Sequence, residues 1–386
     1  MKQGAALLFS IVLTALLSAC TSGDRTLYST ASGGPVPPAY GAAIPAGNRV
    51  FDLNQCTMYP SYFVNNKVFY SPPFDFNHNG APTGSSYSPP IMLPAQATDP
   101  DATPVMAAFT AAPSFLRKIL CRMTGVLIDT SQTSNEPLQW AFWENADQTA
   151  GNVQGSGAGR WVALSEGLWN GTNTYSGYSL YKLNSLLSTT TGITFSSTPE
   201  GATLGLLGAL AHEAGHVVYY DMCARTGQSC YSDMHSDTWY RVGKPARIRG
   251  MKDPYPDACD QDENSQTDCA NNHVTRHYDK VVDDWNGGNT KGLLYGLYNG
   301  RKWLDVVSSA APDEEFVELF ELVVLTQANA PNNMGPLTAF SITLPKKRGD
   351  TSGATVPIVS NNYPSATLKA KYDFVSQTAN AYANRP

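Results

Sequence analysis

The sequence is poor in basic residues, and this shortage excludes one large class of functions. Its 386 residues include 26 lysines and arginines against 32 aspartates and glutamates, which gives a formal net charge of −6 at pH 7. Proteins that bind nucleic acids carry clustered lysine and arginine side chains that neutralise phosphates. The sequence contains no such basic stripe, so we expect no nucleic-acid partner.

The hydrophobic run at the amino terminus is too short for a membrane span. Apolar and small residues extend from Ala5 to Ala19 after a positive start at Lys2, whereas a spanning helix needs about 20 residues. This composition is typical of a signal peptide. The run ends in Leu-Ser-Ala-Cys, which resembles the bacterial lipobox, and the resemblance implies cleavage before Cys20 and lipidation of that residue. An ordinary secretory signal with cleavage nearby is the alternative.

The processing signal suggests how the chain is organised. Residues 1–19 are predicted to be a lipoprotein signal peptide, and residues 20–48 a flexible tether, because they are rich in Gly, Pro, Ser and Ala and cannot bury enough surface to fold alone. Residues 49–386 are then the folded domain. In the lipoproteins that this sequence resembles, a residue other than an acidic one after the cysteine, here Thr21, favours the outer membrane. The resemblance therefore implies an exported protein, anchored by lipid in the bacterial outer membrane.

Cysteine is also scarce, with 7 in the whole chain. Once Cys20 is set aside for lipidation, the remaining cysteines are even in number, which in an exported chain predicts disulfides. Six cysteines allow 15 connectivities, so the sequence leaves the pairing open. Short loops favour two of the pairs and leave the third: Cys223–Cys230, Cys259–Cys269 and Cys56–Cys121. The two short loops lie in a predicted insertion over about residues 223–303.

Only 6 histidines are present, and two of them stand four residues apart in one predicted helix. The segment 203–222, TLGLLGALAHEAGHVVYYDM, has no proline and carries apolar residues at helical spacing from Leu207 to Val217, which predicts an amphipathic helix. His212 and His216 share the face away from this apolar stripe, where both imidazoles can reach one ion. Glu213 can accept a proton from a water that the ion activates. This HExxH pattern, here HEAGH, predicts a zinc site.

A second histidine pair, His273 and His277, also has four-residue spacing and is the alternative metal pair. It lacks an adjacent glutamate, and polar and charged residues surround it. We therefore favour His212 and His216 as ligands.

A catalytic zinc site usually takes three protein ligands, so the two histidines need a third. The metzincin continuation requires glycine at 219 and histidine at 222, where this chain has Tyr219 and Met222. A glutamate from a later helix is the other solution. The segment Pro312–Leu325, PDEEFVELFELVVL, is predicted to be that helix, because proline and acidic residues begin it and apolar residues follow.

Carboxylates on so apolar a helix need a partner when they are buried. Glu314 and Glu318 share one face, with Glu321 nearby, and Glu315 is the alternative to Glu314 as a ligand. The residue four positions after Glu315 is Leu319, whose side chain cannot hydrogen-bond a histidine as Glu318 can.

HEAGH followed by EEFVE resembles the gluzincin family of zinc metallopeptidases, which includes thermolysin, and particularly the subgroup of anthrax lethal factor. The resemblance covers residues 212–216 and 314–320. It implies an α+β, zincin-like domain. The many Pro, Asn and Gly residues over residues 49–104 separately predict a loop-rich amino-terminal part, and the short cysteine loops predict a disulfide-closed insertion. The resemblance further implies that Zn²⁺ is the cofactor, that Glu213 is the general base and that Glu318 orients a ligating histidine. The zinc ligands that it implies are His212, His216 and Glu314.

The chain departs from this family at the residue that stabilises the oxyanion. In the lethal-factor subgroup a tyrosine precedes the glutamate helix, whereas this chain has VVSSAAP there. The sequence leaves four candidates for the role: Tyr295, Tyr298, His277 and Tyr363.

Several further elements are predicted from local patterns. Pro113 begins a helix, and strands are expected at Gly125–Ile128, 139–143 and 160–164. The segment 160–166 (RWVALSE) is our candidate for the edge strand that pairs with an extended peptide. A short helix is expected over residues 179–187, with Ser179 as its cap.

Together these patterns predict a zinc-dependent metalloendopeptidase that hydrolyses peptide bonds of a peptide or protein substrate at the cell envelope or surface. A surface-binding lipoprotein that keeps zinc for stability is one alternative, and a zinc amidase acting on a non-protein amide is the other. Glu213 favours an enzyme, because a purely structural zinc site has no use for a carboxylate beside the ion.

Overall fold

The computed structural model describes residues 51–71, 93–123, 125–129, 161–164, 173–226, 281–288, 292–300, 303–309, 312–329, 335–350, 352–361, 363–364 and 366–385.

This part of the chain contains both α-helices and β-strands. The α-helices are α1 (Leu53–Met58), α2 (Pro60–Lys67), α3 (Thr103–Ala111), α4 (Ser114–Arg122), α5 (Tyr175–Asn184), α6 (Ala202–Thr226), α7 (Leu293–Gly300), α8 (Pro312–Thr326) and α9 (Ala366–Ala383). Short 3₁₀ turns lie at Pro100–Ala102 and Val307–Ser309. The strands are β1 (Val68–Ser71), β2 (Leu93–Pro94), β3 (Gly125–Asp129), β4 (Trp161–Leu164), β5 (Thr194–Thr198), β6 (Ala339–Pro345), β7 (Gly353–Ser360) and β8 (Tyr363–Pro364).

The strands form two separate sheets. The first has the order β2-β1-β3-β4, in which β1, β3 and β4 are parallel and β2 is antiparallel to β1. The second has the order β5-β6-β7-β8 and is antiparallel throughout. With helices packed beside both sheets, the described residues form an α+β structure, as the sequence predicts.

Local signals place several helix starts. Asp52 precedes α1, and its carboxylate accepts hydrogen bonds from the backbone N–H groups of Asn54 at 2.8 Å and Gln55 at 3.1 Å. Proline opens α2 and α8, where the missing N–H is not needed. The cap satisfies backbone N–H groups that have no partner within the helix, and proline removes one such group. Both effects explain why helices begin at these residues.

Helix α5 begins earlier than the sequence pattern suggests. The predicted helix over residues 179–187 with Ser179 as cap is wrong in its bounds. Thr174 is the cap, since its hydroxyl accepts from the N–H of Gly177 at 3.1 Å. Ser179 lies inside the helix, and its hydroxyl donates to the carbonyl of Tyr175 at 3.0 Å. Serine often bonds the preceding turn in this way when it is not a cap.

Helix α6 lies at the centre of the core. It packs against α3, α5, α8 and β4. Every residue from Leu204 to Tyr219 is buried, so the predicted amphipathic helix, with one apolar face, is instead covered on all sides. The face that carries the histidines is covered by α5 and α8, where Glu318 of α8 lies beside His212 and Lys182 of α5 donates to Glu318.

The other local predictions are largely confirmed. The helix predicted at Pro113 is α4, with Pro113 as its N-cap, and the predicted strand at Gly125 is β3. The segment 160–166 contains β4, which lies at one end of the described sheet and contacts α6. The strand expected at 139–143 lies outside the described residues.

One of the three predicted disulfides is observed. Cys56 and Cys121 are bonded and link α1 to α4, and both side chains are fully buried. The other two pairings involve side chains outside those that the structure describes, as do Cys20 and the alternative metal pair His273 and His277. Among the helices of the described ranges, none is both long and apolar enough to cross a membrane.

Candidate metal centre

Helix α6 places the three residues of the HExxH pattern in the interior. His212, Glu213 and His216 are 4%, 1% and 1% exposed. The imidazole rings of the two histidines lie 5.2 Å apart, centroid to centroid, as expected for positions one turn apart. Both imidazole rings therefore lie on the same side of the helix.

Glu314 reaches these histidines from the first turn of α8. One of its oxygens, Oε2, lies 3.8 Å from Nε2 of His212, and the other, Oε1, lies 3.8 Å from Nε2 of His216. Its side chain is fully buried. One ligand atom from each of these three residues lies within 4.8 Å of the other two. The structure thus brings together all three residues that the sequence predicts as zinc ligands.

Small residues allow α8 and α5 to approach α6 this closely. A Cβ atom at Gly215, inside HEAGH, would lie 3.3 Å from the side chain of Phe320 on α8. At Gly208 it would lie 3.2 Å from the ring of Tyr175 on α5. These distances are shorter than ordinary carbon contacts, so larger residues here would push the neighbouring helices away from the histidines.

Glu213 is a buried carboxylate beside the three candidate ligands. Its Oε1 lies 3.7 Å from Nε2 of His212 and has no hydrogen-bond partner among the described residues. Burial raises the pKa of Glu213 from its ordinary 4.5 to about 7, against the opposing effects of His212 and Lys182. A carboxylate with a pKa near neutrality is suited to accepting and returning a proton.

Glu318 approaches His212 from the other side of the imidazole. Its Oε1 lies 3.1 Å from Nδ1 of His212. Burial by itself would raise the pKa of Glu318, but Lys182 and the hydrogen bond with His212 outweigh it and hold this pKa well below its usual range. An ionised Glu318 beside Nδ1 favours the tautomer of His212 that carries its proton on Nδ1, which leaves the Nε2 lone pair directed toward Glu314.

His216 is kept neutral by its surroundings. Burial, followed by the neighbouring charge of His212, lowers its pKa well below the ordinary value. Neutral imidazole is the form that binds a metal ion, so the site favours the form of His216 that a ligand requires.

Glu315, the alternative ligand, points away from the histidines. It is buried and pairs with Lys371 of α9. Adjacent residues on a helix are about 100° apart, so the side chains of Glu314 and Glu315 point in different directions. The structure thus places Glu314 rather than Glu315 beside the histidines.

The surroundings of the site include buried groups that the sequence interpretation missed. Lys182 of α5 donates to Glu318 at 2.6 and 2.9 Å and to Glu321 at 2.9 Å. Asp305 hydrogen-bonds Glu318, and Tyr175 hydrogen-bonds Glu321. Lys182 is the one charged residue of α5, and a lone charge on an otherwise uncharged helix is the signal that could have identified it.

The four candidates for oxyanion stabilisation differ in their positions. Tyr298 is 3% exposed, and its charge interactions include Asp305 and Glu318, whereas Tyr363 is 53% exposed on β8. Tyr295 is half-buried against the core, and His277 lies outside the described residues. Of the three described candidates, Tyr298 is electrostatically coupled to the buried glutamate cluster.

The chain was also compared with known proteins. No family model, curated protein or solved structure matches it. Its function is therefore inferred from the residues of this centre and their surroundings.

Proposed function

We propose that the chain is a zinc-dependent metallopeptidase with a zincin-like domain of the gluzincin type. In this proposal His212, His216 and Glu314 bind zinc, and Glu213 is the general base. The observation that carries the proposal is the convergence of Glu314, from α8, on the two histidines of α6, with the buried carboxylate of Glu213 beside them.

The donor set fits zinc. Two imidazole nitrogens and one carboxylate are a common ligand set of catalytic zinc sites, which keep the fourth position for water or substrate. Ligand atoms at about 2.1 Å from a tetrahedral ion lie roughly 3.4 Å from one another. The separations of 3.8 Å between Glu314 and each histidine are therefore within a few tenths of an ångström of this arrangement.

The chemistry divides between the ion and the protein. Zinc, when bound, supplies a Lewis acid that activates water for attack on an amide carbonyl. Glu213 accepts the proton of the attacking water and delivers it to the nitrogen of the leaving amine. Glu318 holds His212 by its Nδ1–H, so that Nε2 keeps its direction during this transfer.

The first sheet offers a place for an extended substrate. Strand β4 lies at the end of the described sheet and contacts α6. Backbone groups at the edge of a sheet can pair with an added peptide strand. Peptide binding along β4 would bring a scissile bond to the helix that carries Glu213.

The envelope location belongs to the same proposal. The Leu-Ser-Ala-Cys sequence supports export and a lipid anchor at Cys20, with residues 20–48 as the tether. Mass spectrometry of the mature amino terminus tests this directly. A mature chain that begins elsewhere and carries no lipid would contradict it.

The central experiment measures zinc content and peptide-library cleavage of the purified protein, with and without a zinc chelator. We expect stoichiometric zinc and cleavage that the chelator abolishes. Glu213→Gln should retain zinc, because Gln keeps the shape of the side chain, but lose about 10²–10⁴-fold in turnover, because the amide cannot accept the proton.

Two adjacent glutamates supply a matched pair of variants. Glu314→Gln should lose zinc, whereas Glu315→Gln should keep it, because Glu314 belongs to the candidate ligand set and Glu315 pairs with Lys371. Zinc retained in Glu314→Gln and lost in Glu315→Gln would sink the ligand assignment. A wild-type protein that holds zinc in stoichiometric amount but cleaves no peptide would instead favour a zinc-stabilised binding protein or an amidase.

A further inference from the structure

Lys182 is a buried cation in contact with two carboxylates behind the proposed zinc ligands. Its side chain is 12% exposed, and those of Glu318 and Glu321 are 2% and 0% exposed. The Nζ atom donates to both glutamates and lies 4.8 Å from the centre of the Tyr178 ring, where the ring also favours a cation. The ammonium group is thus surrounded by groups that stabilise positive charge.

The two glutamates belong to a second set of candidate metal ligands. His212, Glu318 and Glu321 place one ligand atom each within 4.8 Å of the others. His212 is common to this set and to the set with His216 and Glu314.

Each nitrogen of His212 faces a different set. Its Nε2 lies 3.8 Å from Glu314, whereas Nδ1 lies 3.1 Å from Glu318 and 3.6 Å from Glu321. A metal ion could in principle bind on either side of this imidazole. The chemistry of the proposed function requires the Nε2 side, where Glu213 lies.

Lys182 occupies the oxygens that an ion on the Nδ1 side would need. Three of its hydrogen bonds end on the carboxylates of Glu318 and Glu321. A divalent ion bound to the same oxygens would lie next to the ammonium group, and like charges a few ångströms apart repel strongly where water is excluded. With Lys182 in place, the carboxylate of Glu318 faces Lys182 and Nδ1 of His212 and is not available to a metal ion.

We propose that Lys182 is a positioning residue that selects between the two ligand sets, so that the ion binds to His212, His216 and Glu314 and is excluded from Glu318 and Glu321. This inference rests on the proposed function, because it takes the first set to be the zinc site. It assigns Lys182 a role in where the ion binds, not in the reaction itself.

Zinc binding by the full chain tests the proposal without any measurement of activity. Glu314→Ala removes one ligand of the first set and should lower zinc affinity by about 10–100-fold or more. In the double variant with Lys182→Met, the second set becomes accessible, and we expect zinc affinity to rise again by at least about tenfold. The matched control is the double variant with Lys182→Arg, which keeps the cation and should bind zinc as weakly as Glu314→Ala alone.

The possible results are distinguishable. No gain in affinity in the Lys182→Met double variant would overturn the selection by Lys182 and leave the proposed function intact. Zinc retained at full affinity by Glu314→Ala alone would overturn both. Lys182→Gln, which keeps a hydrogen-bond donor but not the charge, replaces Lys182→Met where circular dichroism shows the latter to be unfolded, and the same gain is expected.

The wild-type chain supplies a test that does not depend on the folding of these variants. In excess zinc we expect one ion per chain, because Lys182 remains in place. A second ion whose binding is lost in Glu321→Gln would overturn the proposal.

Discussion

At the scale of single residues, two glutamates next to one histidine have opposite acid–base properties. Glu213 and Glu318 are both buried and both lie within 4 Å of His212. Burial raises the pKa of Glu213 to about 7. Burial acts in the same direction on Glu318, but the charge of Lys182 outweighs it and lowers the pKa of Glu318. The difference arises because Lys182 donates directly to Glu318, whereas its effect on Glu213 is only a partial compensation for burial.

The raised pKa of Glu213 predicts a pH-dependent stability of the metal-free chain. Glu213 holds its proton up to about pH 7 in the folded state but only to its ordinary 4.5 when unfolded. Its contribution to the free energy of unfolding is thus complete below about pH 4.5 and lost as the pH rises through 7. The loss amounts to about 3 kcal/mol. Glu213→Gln has no carboxyl group at this position and should not show this loss. In urea unfolding of the chelator-treated protein, the stability of the variant relative to wild type should therefore rise by about 3 kcal/mol between pH 4.5 and 8.

Glu200 is a suitable control for this experiment. Its pKa is lowered, since hydrogen bonds from Ser197 and Ser176 outweigh the effect of its burial. Its contribution to stability is therefore present at neutral pH and lost in acid, the opposite direction. Glu200→Gln should lose stability relative to wild type as the pH rises. Parallel pH profiles for wild type and Glu213→Gln would contradict the assignment of a raised pKa to Glu213.

At the scale of secondary structure, the candidate metal centre depends on how closely three helices approach one another. Helix α6 carries Gly205, Gly208 and Gly215 on surfaces that contact its neighbours. Glycine lowers helix stability by roughly 1 kcal/mol relative to alanine in isolation. Packing explains its presence, because backbone leaves no room for a Cβ atom at Gly205, and the side chains of Tyr175 and Phe320 would have to shift to admit one at Gly208 and Gly215.

Gly205 provides the strongest steric test of this packing. A Cβ atom there would lie 2.0 Å from the carbonyl oxygen of Asn173, just before α5. Since backbone cannot move aside as a flexible side chain can, we expect Gly205→Ala to lower the free energy of unfolding by about 1–3 kcal/mol, despite the better helix propensity of alanine. Chemical denaturation of the purified protein measures this change.

The matched control is Gly335→Ala, where no atom lies within 4 Å of the added Cβ. Its free energy of unfolding should change by no more than about 0.5 kcal/mol. Equal stability of Gly205→Ala and wild type would show that α5 and α6 are not packed as closely as described here.

At the scale of the whole molecule, helices α1 and α4 are joined covalently, whereas the candidate metal centre is held together by helix packing. The disulfide Cys56–Cys121 links α1 to α4 across a sequence separation of 65 residues. The proposed ligands lie on α6 and α8, with Lys182 on α5. Helices α8 and α9 are joined by the buried pair of Glu315 and Lys371.

Removal of the disulfide is expected to lower global stability and leave the zinc site in place. A loop of this length restricts the unfolded chain by about 4 kcal/mol, so Cys56→Ala with Cys121→Ala should reduce the free energy of unfolding by about that amount. Zinc stoichiometry at a temperature where the variant is folded should match wild type, because neither cysteine contacts the site. Loss of zinc by the folded variant would indicate that α1 and α4 help to form the metal centre.

The sequence by itself determined the parts of this protein that depend on local geometry. Two histidines four residues apart on a proline-free segment must share a helix face, so His212, Glu213 and His216 could be predicted as a candidate metal site before any fold was known. The same holds for the helix that begins at Pro312, whereas the α+β character of the described residues was expected from the resemblance to the gluzincins. The pair Cys56–Cys121 agrees with the pairing that short loops favour, although the sequence alone left the connectivity open.

Only the tertiary structure decided which groups meet across the chain. The helix pattern did not distinguish Glu314 from Glu315, because both are glutamates in the same turn. In the folded chain Glu315 pairs with Lys371 of α9, and Glu314 lies beside the histidines. Lys182 and Glu318 are 136 residues apart, and no local pattern links positions so distant. The burial of α6 on every side has the same origin, since charges on α5 and α8 compensate one another only after the helices have come together.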